Sequence, residues 1–399
     1  MSRLLLVTHR SPHQDGGAAA RWRAMLRHLP AHGWTVEVLS AVERIAGDEY
    51  RPSPAARRQL ELRARVTARV GVLADPAFGV LGVRPEAFPL SMAWVPRASL
   101  ELRRRVSDGG FDAVLATGPP TAALLAARAG RRRGDPPLVV ELRDLWAGNP
   151  LFDRRGGLLA AVESWVLGAA SSVVTMTPEA AADVRRRHPR LADRVVDIPN
   201  GFDGDLLARR SPVDARRPIE ILHSGTLTVD RPLAPLLRVL ARDPYRETFR
   251  LVLHGYLAPT VADEIASMNG GPTVEVVAPS GWEEAVARIA RADVTLVTQA
   301  GSAGDATAVA SKVYEYLALG RPVLCLSAGG ATEAVLRRLG ADRYCARLDD
   351  EASIAAALDR LRAQPLSPAV PAELLAPYDR ATLAGRMAEL LDDVVSRSL

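Results

Sequence analysis

The chain of 399 residues is 48% hydrophobic and 24% charged, with a formal net charge of +5; this is the composition of a soluble globular protein, long enough for two domains. Two cysteines make no disulfide framework or metal-site spacing, and the most apolar stretch, 158–176, is interrupted by Glu163, which excludes a membrane-spanning helix. Residues 1–10 hold too short an apolar segment for a secretory signal, so we expect a cytoplasmic protein.

Short apolar segments alternate with helical stretches through the first half of the chain. They lack period-two alternation, as buried parallel strands do. The predicted strands are 4–8, 35–39, 112–116, 138–142, 172–176 and 195–198. The clearest predicted helices between them are 18–29, 120–132 and 178–187.

The segment 42–110 breaks this alternation. It contains an arginine-rich helical stretch, 55–73, with apolar residues on one face and arginines on another. Such a stretch is either an ordinary domain helix with a solvated face or a surface that meets a membrane or an acceptor.

The alternation restarts after residue 217. Further strands are predicted at 219–223, 250–254, 273–277, 294–298 and 323–326, again with helices between them. Turn signals place the junction within 199–218. The pattern therefore predicts an α/β protein with two Rossmann-like, doubly wound parallel sheets.

Charge is divided unevenly between these halves. Residues 1–200 contain 29 arginines against 20 acidic residues, whereas residues 201–399 contain 22 basic against 26 acidic residues. The basic half is either a solvated arginine surface or faces an anionic partner. The chain has 50 arginines and one lysine, Lys312. Lys312 either escaped this bias by chance or serves as a compact point charge, which a guanidinium does not supply.

Glycines follow the first strand of each predicted domain. Gly16 and Gly17 precede a helix, where free N–H groups suit a phosphate or a sugar hydroxyl, although the spacing is not that of a dinucleotide site. In the second domain the strand ends in Ser224, Gly225 and Thr226. Glycine permits close approach of a ligand to the backbone, and the two hydroxyls can donate to it.

Two further elements of the second domain carry charge. Arg231 follows the glycine turn and is either a phosphate-binding fork or an ordinary helix-start arginine. Lys312 and Glu315 share one face of a helix that follows the small, polar loop 300–307. They are either a solvated ion pair or a pair that holds an anionic diphosphate and two ribose hydroxyls.

The order and spacing of these motifs resemble a retaining GT-B glycosyltransferase of family 4 type over essentially the whole chain. The residues that carry the resemblance are Gly16-Gly17, 141–146, 198–201, Gly225 with Arg231, and 312–318. The resemblance implies an acceptor-binding domain at 1–205 and a nucleotide-sugar-binding domain at 206–379, with helix 380–396 packing back on the first. A UDP- or GDP-sugar would donate a sugar to a small-molecule, glycan or lipid acceptor in the cleft between the domains.

The resemblance also assigns roles to residues. Glu315 would bind the ribose, Arg231 the diphosphate, and Gly16 and Gly17 the donor phosphates or sugar. There are two departures from the family: Thr226 stands in place of an arginine, and Thr307 in place of the first glutamate of a pair. Lys312 would then replace part of the missing positive charge.

No Asp-x-Asp cation site stands where a metal–diphosphate bridge would need it, since Asp203 and Asp205 lie in the linker. We therefore predict that Arg231 and Lys312 stabilise the departing diphosphate, with no cofactor and no metal. Asp144, at a strand end, is the candidate for acceptor or sugar contact. We expect no nucleic acid partner, a monomer or homodimer, and cytoplasmic location with optional peripheral membrane contact through the basic half.

Two alternatives remain open within the same fold. A nucleotide-sugar epimerase would need acidic residues around the sugar, against which Thr307 argues. A silent module that binds a nucleotide or a partner is favoured by the departures at Thr226 and Thr307. It is disfavoured by the presence of Arg231, Lys312 and Glu315.

Overall fold

The computed structural model describes residues 1–12, 17–44, 50–52, 90–147, 157–213, 218–227, 233–267, 272–299, 303–363, 366 and 369–398. They form two compact units, Met1–Asn200 with Arg380–Leu399, and Gly201–Asp379. The second unit begins a few residues before the predicted boundary at 205, because the Phe202 N–H donates to the Tyr378 carbonyl at 3.0 Å. Among the described residues, no helix has the length and apolar character to cross a membrane.

The first unit is built on a parallel sheet in the order β2-β1-β5-β6-β7-β8, beside a short antiparallel pair, β3-β4. The strands are β1 (Ser2–Thr8), β2 (Trp34–Ser40), β3 (Val42–Arg44), β4 (Tyr50–Pro52), β5 (Ala113–Gly118), β6 (Leu138–Leu142), β7 (Ser172–Thr175) and β8 (Val195–Asp197). The helices are α1 (Gly17–His28), α2 (Val95–Ser107), α3 (Ala122–Gly130), α4 (Gly157–Leu167), α5 (Pro178–Arg187) and, at the end of the chain, α15 (Arg380–Ser396).

Both faces of this sheet are buried, which explains the unbroken apolar strands. In β1, Leu5 and Val7 pack into one core, and Leu4 and Leu6 pack into another. The second of these cores also holds the apolar face of α15, namely Leu383, Ala384, Met387, Ala388, Leu391 and Val394. The last helix of the chain therefore completes the core of the first unit.

The second unit is built on a parallel sheet in the order β11-β10-β9-β12-β13-β14. The strands are β9 (Ile219–Ser224), β10 (Phe249–His254), β11 (Val274–Val277), β12 (Val294–Thr298), β13 (Val323–Ser327) and β14 (Cys345–Arg347). The helices are α6 (Ala234–Leu240), α7 (Tyr245–Thr248), α8 (Pro259–Ala266), α9 (Trp282–Arg291), α10 (Ala303–Thr307), α11 (Lys312–Ala318), α12 (Ala331–Arg338), α13 (Glu351–Ala363) and α14 (Ala372–Leu375).

The strand order reverses once within each sheet. The reversal lies between β1 and β5 in the first unit and between β9 and β12 in the second. In open α/β sheets a ligand binds beyond the carboxyl ends of the strands at such a switch point. The segments after β1 and β9 therefore mark the expected ligand positions in each unit.

Candidate active site

Two glycines at the carboxyl edge of the second sheet bring the ends of β9 and β10 together. Gly225 has φ +129° and Gly255 has φ +132°, both in the region that favours glycine. The Gly225 N–H donates to the His254 carbonyl at 2.8 Å. A Cβ on Gly255 would lie 2.2 Å from the Gly225 carbonyl oxygen, so this approach needs a residue without a side chain.

Lys312 reaches this glycine turn from the first position of α11. Its Nζ donates to the Ser224 carbonyl oxygen at 2.5 Å. A Cβ on Gly225 would lie 2.3 Å from the same Nζ. The ammonium is therefore packed against bare backbone at the switch point between β9 and β12.

Tyr316, one helical turn after Lys312 on α11, also contacts Ser224. Its hydroxyl accepts from the Ser224 N–H at 3.2 Å and donates to the Ser224 carbonyl at 3.3 Å. Burial raises the pKa of Tyr316 above its ordinary value, the Ser224 N–H bond opposes this, and nearby Glu315 adds to it. The phenol therefore stays protonated and holds the end of β9 in place.

The remaining predicted residues of the second unit have varied surroundings. Glu315 is half-buried on α11, where its neighbours Tyr314 and Tyr316 are fully buried. Thr226 is exposed. Thr307 is the last residue of α10, and its hydroxyl donates to a carbonyl of its own helix, that of Gly304, at 3.2 Å.

Two predicted residues lie outside the described residues. These are Arg231 in the second unit and Gly16 in the first. Gly17 is the first residue of α1, which follows β1 at the switch point of the first sheet. The roles of Arg231, Gly16 and Gly17 stay predictions.

Glu141, in the segment that carries the family resemblance, is fully buried at the end of β6. It accepts hydrogen bonds from Arg21 Nε at 2.9 Å, Trp22 Nε1 at 2.8 Å and Thr117 Oγ1 at 2.6 Å. Burial opposes its ionisation, but the Arg21 guanidinium and the Thr117 hydroxyl outweigh burial and lower the pKa of Glu141. Glu141 is therefore an ionised anchor that joins α1 to β5 and β6.

Asp144 follows this anchor and is exposed, two residues beyond the end of β6. The segment after it is held by Glu163, a fully buried residue of α4 that accepts from the Ala147 N–H at 2.8 Å. Glu163 also pairs with Arg187 and lies 2.8 Å from His188 Nε2. Asp144 thus lies between two anchored points, Glu141 and Ala147.

The sequence of the first unit matches a known domain family. Residues 16–201, just under half of the chain, match the profile of the glycosyl transferase 4-like domain. This segment is a glycosyl transferase 4-like domain. No curated protein matches the chain by sequence.

Solved structures resemble the whole chain at low sequence identity. HepE of Anabaena, in complex with UDP and glucose, is 16% identical with a TM-score of 0.63, over 98% of this chain and all of that one. A glycosyltransferase from Rickettsia africae is 11% identical with a TM-score of 0.66, over 98% of both chains. The UDP-forming α,α-trehalose-phosphate synthase of Burkholderia xenovorans is 13% identical with a TM-score of 0.65, over 98% of this chain and all of that one. The protein is thus a glycosyltransferase of GT-B fold.

Within the described part of this glycosyltransferase, no group of three or more His, Cys, Asp or Glu side chains could hold a metal ion. Asp203 and Asp205, which the sequence places in the linker, belong to a local turn. Asp205 lies 3.8 Å from Arg209 in the 3₁₀ turn Gly204–Arg209, which Asp203 precedes.

The structure brings together Lys312, Ser224 and Gly225, which the sequence had singled out. It adds Tyr316 and His254, which sequence reasoning missed. The signal for Tyr316 is its position four residues after Lys312, on the same helical face. The signal for His254 is that it ends the strand next to β9, and it is paired with Ser224 in the sheet.

Proposed function

We propose that this glycosyltransferase moves a sugar from a nucleoside-diphosphate sugar to a hydroxyl or other nucleophile of its acceptor, with retention of the anomeric configuration. The observation that carries the proposal is the Lys312 ammonium held at the Ser224–Gly225 turn. A cation at the carboxyl end of β9, the first strand of the second unit, is placed to contact a diphosphate, whose negative charge grows as it leaves.

The unit Gly201–Asp379 binds the donor in this proposal, with Glu315 on the ribose and Arg231 and Lys312 on the diphosphate. UDP is the favoured nucleotide, with GDP as the second choice, because HepE of Anabaena was solved with UDP and the B. xenovorans synthase is UDP-forming. Protein cations stabilise the leaving group in place of a divalent metal.

The first unit binds the acceptor, a small molecule or a cell-envelope glycan or lipid. Its excess of arginine over acidic residues supports an anionic acceptor. Asp144, exposed between Glu141 and Ala147, is placed to contact the acceptor or the transferred sugar.

Binding and turnover test this proposal. A thermal-shift screen of nucleoside diphosphates should raise the Tm with UDP or GDP, because a ligand of the native state stabilises it by RT ln(1 + [L]/Kd). Incubation with the matching nucleotide sugars should then release sugar slowly without acceptor. Release of an epimerised sugar would point to an epimerase, and nucleotide binding with no release would point to a silent binding module.

A further inference from the structure

A chain of three polar side chains runs along the carboxyl edge of the second sheet. Ser224 Oγ lies 3.1 Å from His254 Nδ1, and His254 Nε2 lies 2.9 Å from Ser280 Oγ. Ser224 ends β9, His254 ends the neighbouring β10, and Ser280 follows β11. The chain therefore crosses the ends of three adjacent strands and finishes at the glycine turn.

The main chain of Ser224 has fixed partners. Its N–H donates to Tyr316, and its carbonyl accepts from Lys312 at 2.5 Å and from Tyr316. Its hydroxyl is different, because a hydroxyl proton can rotate between partners. The imidazole of His254 decides which way that proton points.

His254 is buried, at 3% exposure, and its surroundings favour the neutral form. Burial lowers the pKa of His254, Arg288 on α9 lowers it further, and Glu284 on the same helix opposes them. A neutral imidazole has one donor nitrogen and one acceptor nitrogen. The hydrogen bonds between Ser224, His254 and Ser280 can therefore be arranged in two ways.

In the first arrangement Ser224 donates to Nδ1, and Nε2–H donates to Ser280. In the second arrangement Ser280 donates to Nε2, and Nδ1–H donates to the Ser224 oxygen. The second arrangement leaves the Ser224 proton free to donate elsewhere. An anion beside Ser224 selects it, because only then can the hydroxyl donate to that anion.

We propose that His254 and Ser280 are positioning residues that turn the Ser224 hydroxyl into a hydrogen-bond donor for the diphosphate of the nucleotide sugar. This inference rests on the proposed function, since it requires a diphosphate at the glycine turn. It adds a neutral donor to the Lys312 cation and gives a role to two residues remote from Lys312 in sequence.

Calorimetry on the full chain with UDP, and with uridine in competition, tests the inference. Ser224→Ala should weaken UDP by about tenfold or more, the value of one hydrogen bond to a charged group, and His254→Leu by about threefold to tenfold, the value of one neutral hydrogen bond. Uridine lacks the phosphates, so its affinity should not change. His254→Asn should restore most of the UDP affinity, because its amide nitrogen can occupy the Nδ1 position and donate to Ser224.

His223→Asn is the matched control. His223 is also a buried histidine, but it faces the other side of β9, where its Nδ1 lies 3.2 Å from the Leu296 carbonyl. It should leave the ratio of the UDP and uridine affinities unchanged. Equal losses of UDP and uridine affinity in Ser224→Ala and His254→Leu would mean that these side chains have a purely structural role, which would overturn the inference. Unchanged UDP affinity in both variants would overturn it as well. Failure of the wild-type chain to bind UDP would reject UDP as the donor nucleotide, and the same comparison of the variants with GDP and guanosine would then decide the inference.

Discussion

The Nζ atom of Lys312 lies 2.5 Å from the carbonyl oxygen of Ser224. A flexible four-carbon side chain is thereby fixed at the end of β9, at the switch point of its sheet. A carbonyl dipole orients an ammonium without cancelling its charge, so the cation stays effective toward an anionic ligand. The same contact gives the chain's one lysine a geometric role that a bulky, planar guanidinium fits poorly.

Lys312→Ala should lower kcat/KM by a factor that corresponds to about 3 kcal/mol of lost transition-state stabilisation, as for other preorganised donors at a developing charge. Lys312→Arg should not restore full activity, because the fork needs more room beside Gly225 than an ammonium does. Steady-state kinetics with the nucleotide sugar measure both, and thermal unfolding identifies any loss of folding. An arginine variant as active as the parent would contradict the role given to the lysine.

Gly225→Ala should displace the lysine without removing it. The new Cβ would lie 2.3 Å from Lys312 Nζ, the end of a side chain that can move aside. We expect a loss of activity similar to that of Lys312→Ala and, from backbone strain at φ +129°, a loss of about 1–3 kcal/mol in the free energy of unfolding.

Gly340→Ala separates the two effects. Gly340 lies in the same unit and also has positive φ, at +65°, but a Cβ there would meet nothing within 4 Å. It should lose stability and keep activity. If the Gly225 variant is destabilised but just as active, the contact between Gly225 and Lys312 has no catalytic importance.

The fold was largely predictable because parallel strands that are buried on both faces have continuous apolar sequences. The segments predicted at 138–142 and 294–298 coincide with β6 and β12, and the predicted helix 178–187 coincides with α5. The three-residue strand β14 was missed, since Cys345–Arg347 is too short and polar to stand out. The pair β3-β4 was missed as well, and the predicted helix at 55–73 lies outside the described residues.

The candidate site was less predictable, since its contacts join residues far apart in the chain. Sequence reasoning could place Ser224, Gly225 and Lys312 near one another through strand ends and helix starts. The link from Ser224 through His254 to Ser280 depends on the order of β9, β10 and β11 in the sheet, which no local pattern encodes. Glu163, seen in the sequence as an interruption of an apolar stretch, proves to be a buried anchor.

Glu315→Gln should weaken UDP binding about tenfold, because an amide cannot accept from two ribose hydroxyls as a carboxylate does. Calorimetry with UDP and 2′-deoxy-UDP locates the effect. The wild-type chain should lose affinity when the 2′-hydroxyl is absent, and the variant should lose less, since its contact is already impaired. Equal affinity of wild type and variant for UDP would contradict the ribose assignment.

Transfer should continue in excess EDTA, since in the proposed mechanism Arg231 and Lys312 stabilise the departing diphosphate. The measurement is the initial rate with and without chelator, followed by addition of Mg²⁺ or Mn²⁺. A rate that falls in EDTA and returns with either ion would show that a metal takes part in the reaction.

Glu141→Gln should destabilise the first unit, because it leaves the Arg21 guanidinium buried without its counter-charge. Breaking a buried pair by removing one partner costs about 3–5 kcal/mol. Arg21→Met with Glu141→Leu removes both charges and should cost less than the single change. Denaturant unfolding of the full chain, followed by a probe in the first unit, measures both variants.

Wild type and Glu141→Gln should differ in their free energy of unfolding by an amount that depends on pH, because the pKa of Glu141 is lowered in the folded chain. An acid whose pKa is lower in the folded state contributes stability that is fully present above its unfolded pKa, about 4.3 for glutamate. That stability is lost as pH falls through the folded pKa. The difference in the free energy of unfolding between wild type and Glu141→Gln should therefore be constant from about pH 6 to 8 and decrease below about pH 4. A difference that widens in acid would mean that the pKa of Glu141 is raised and not lowered in the folded chain, contrary to the ion pair with Arg21 at 2.9 Å.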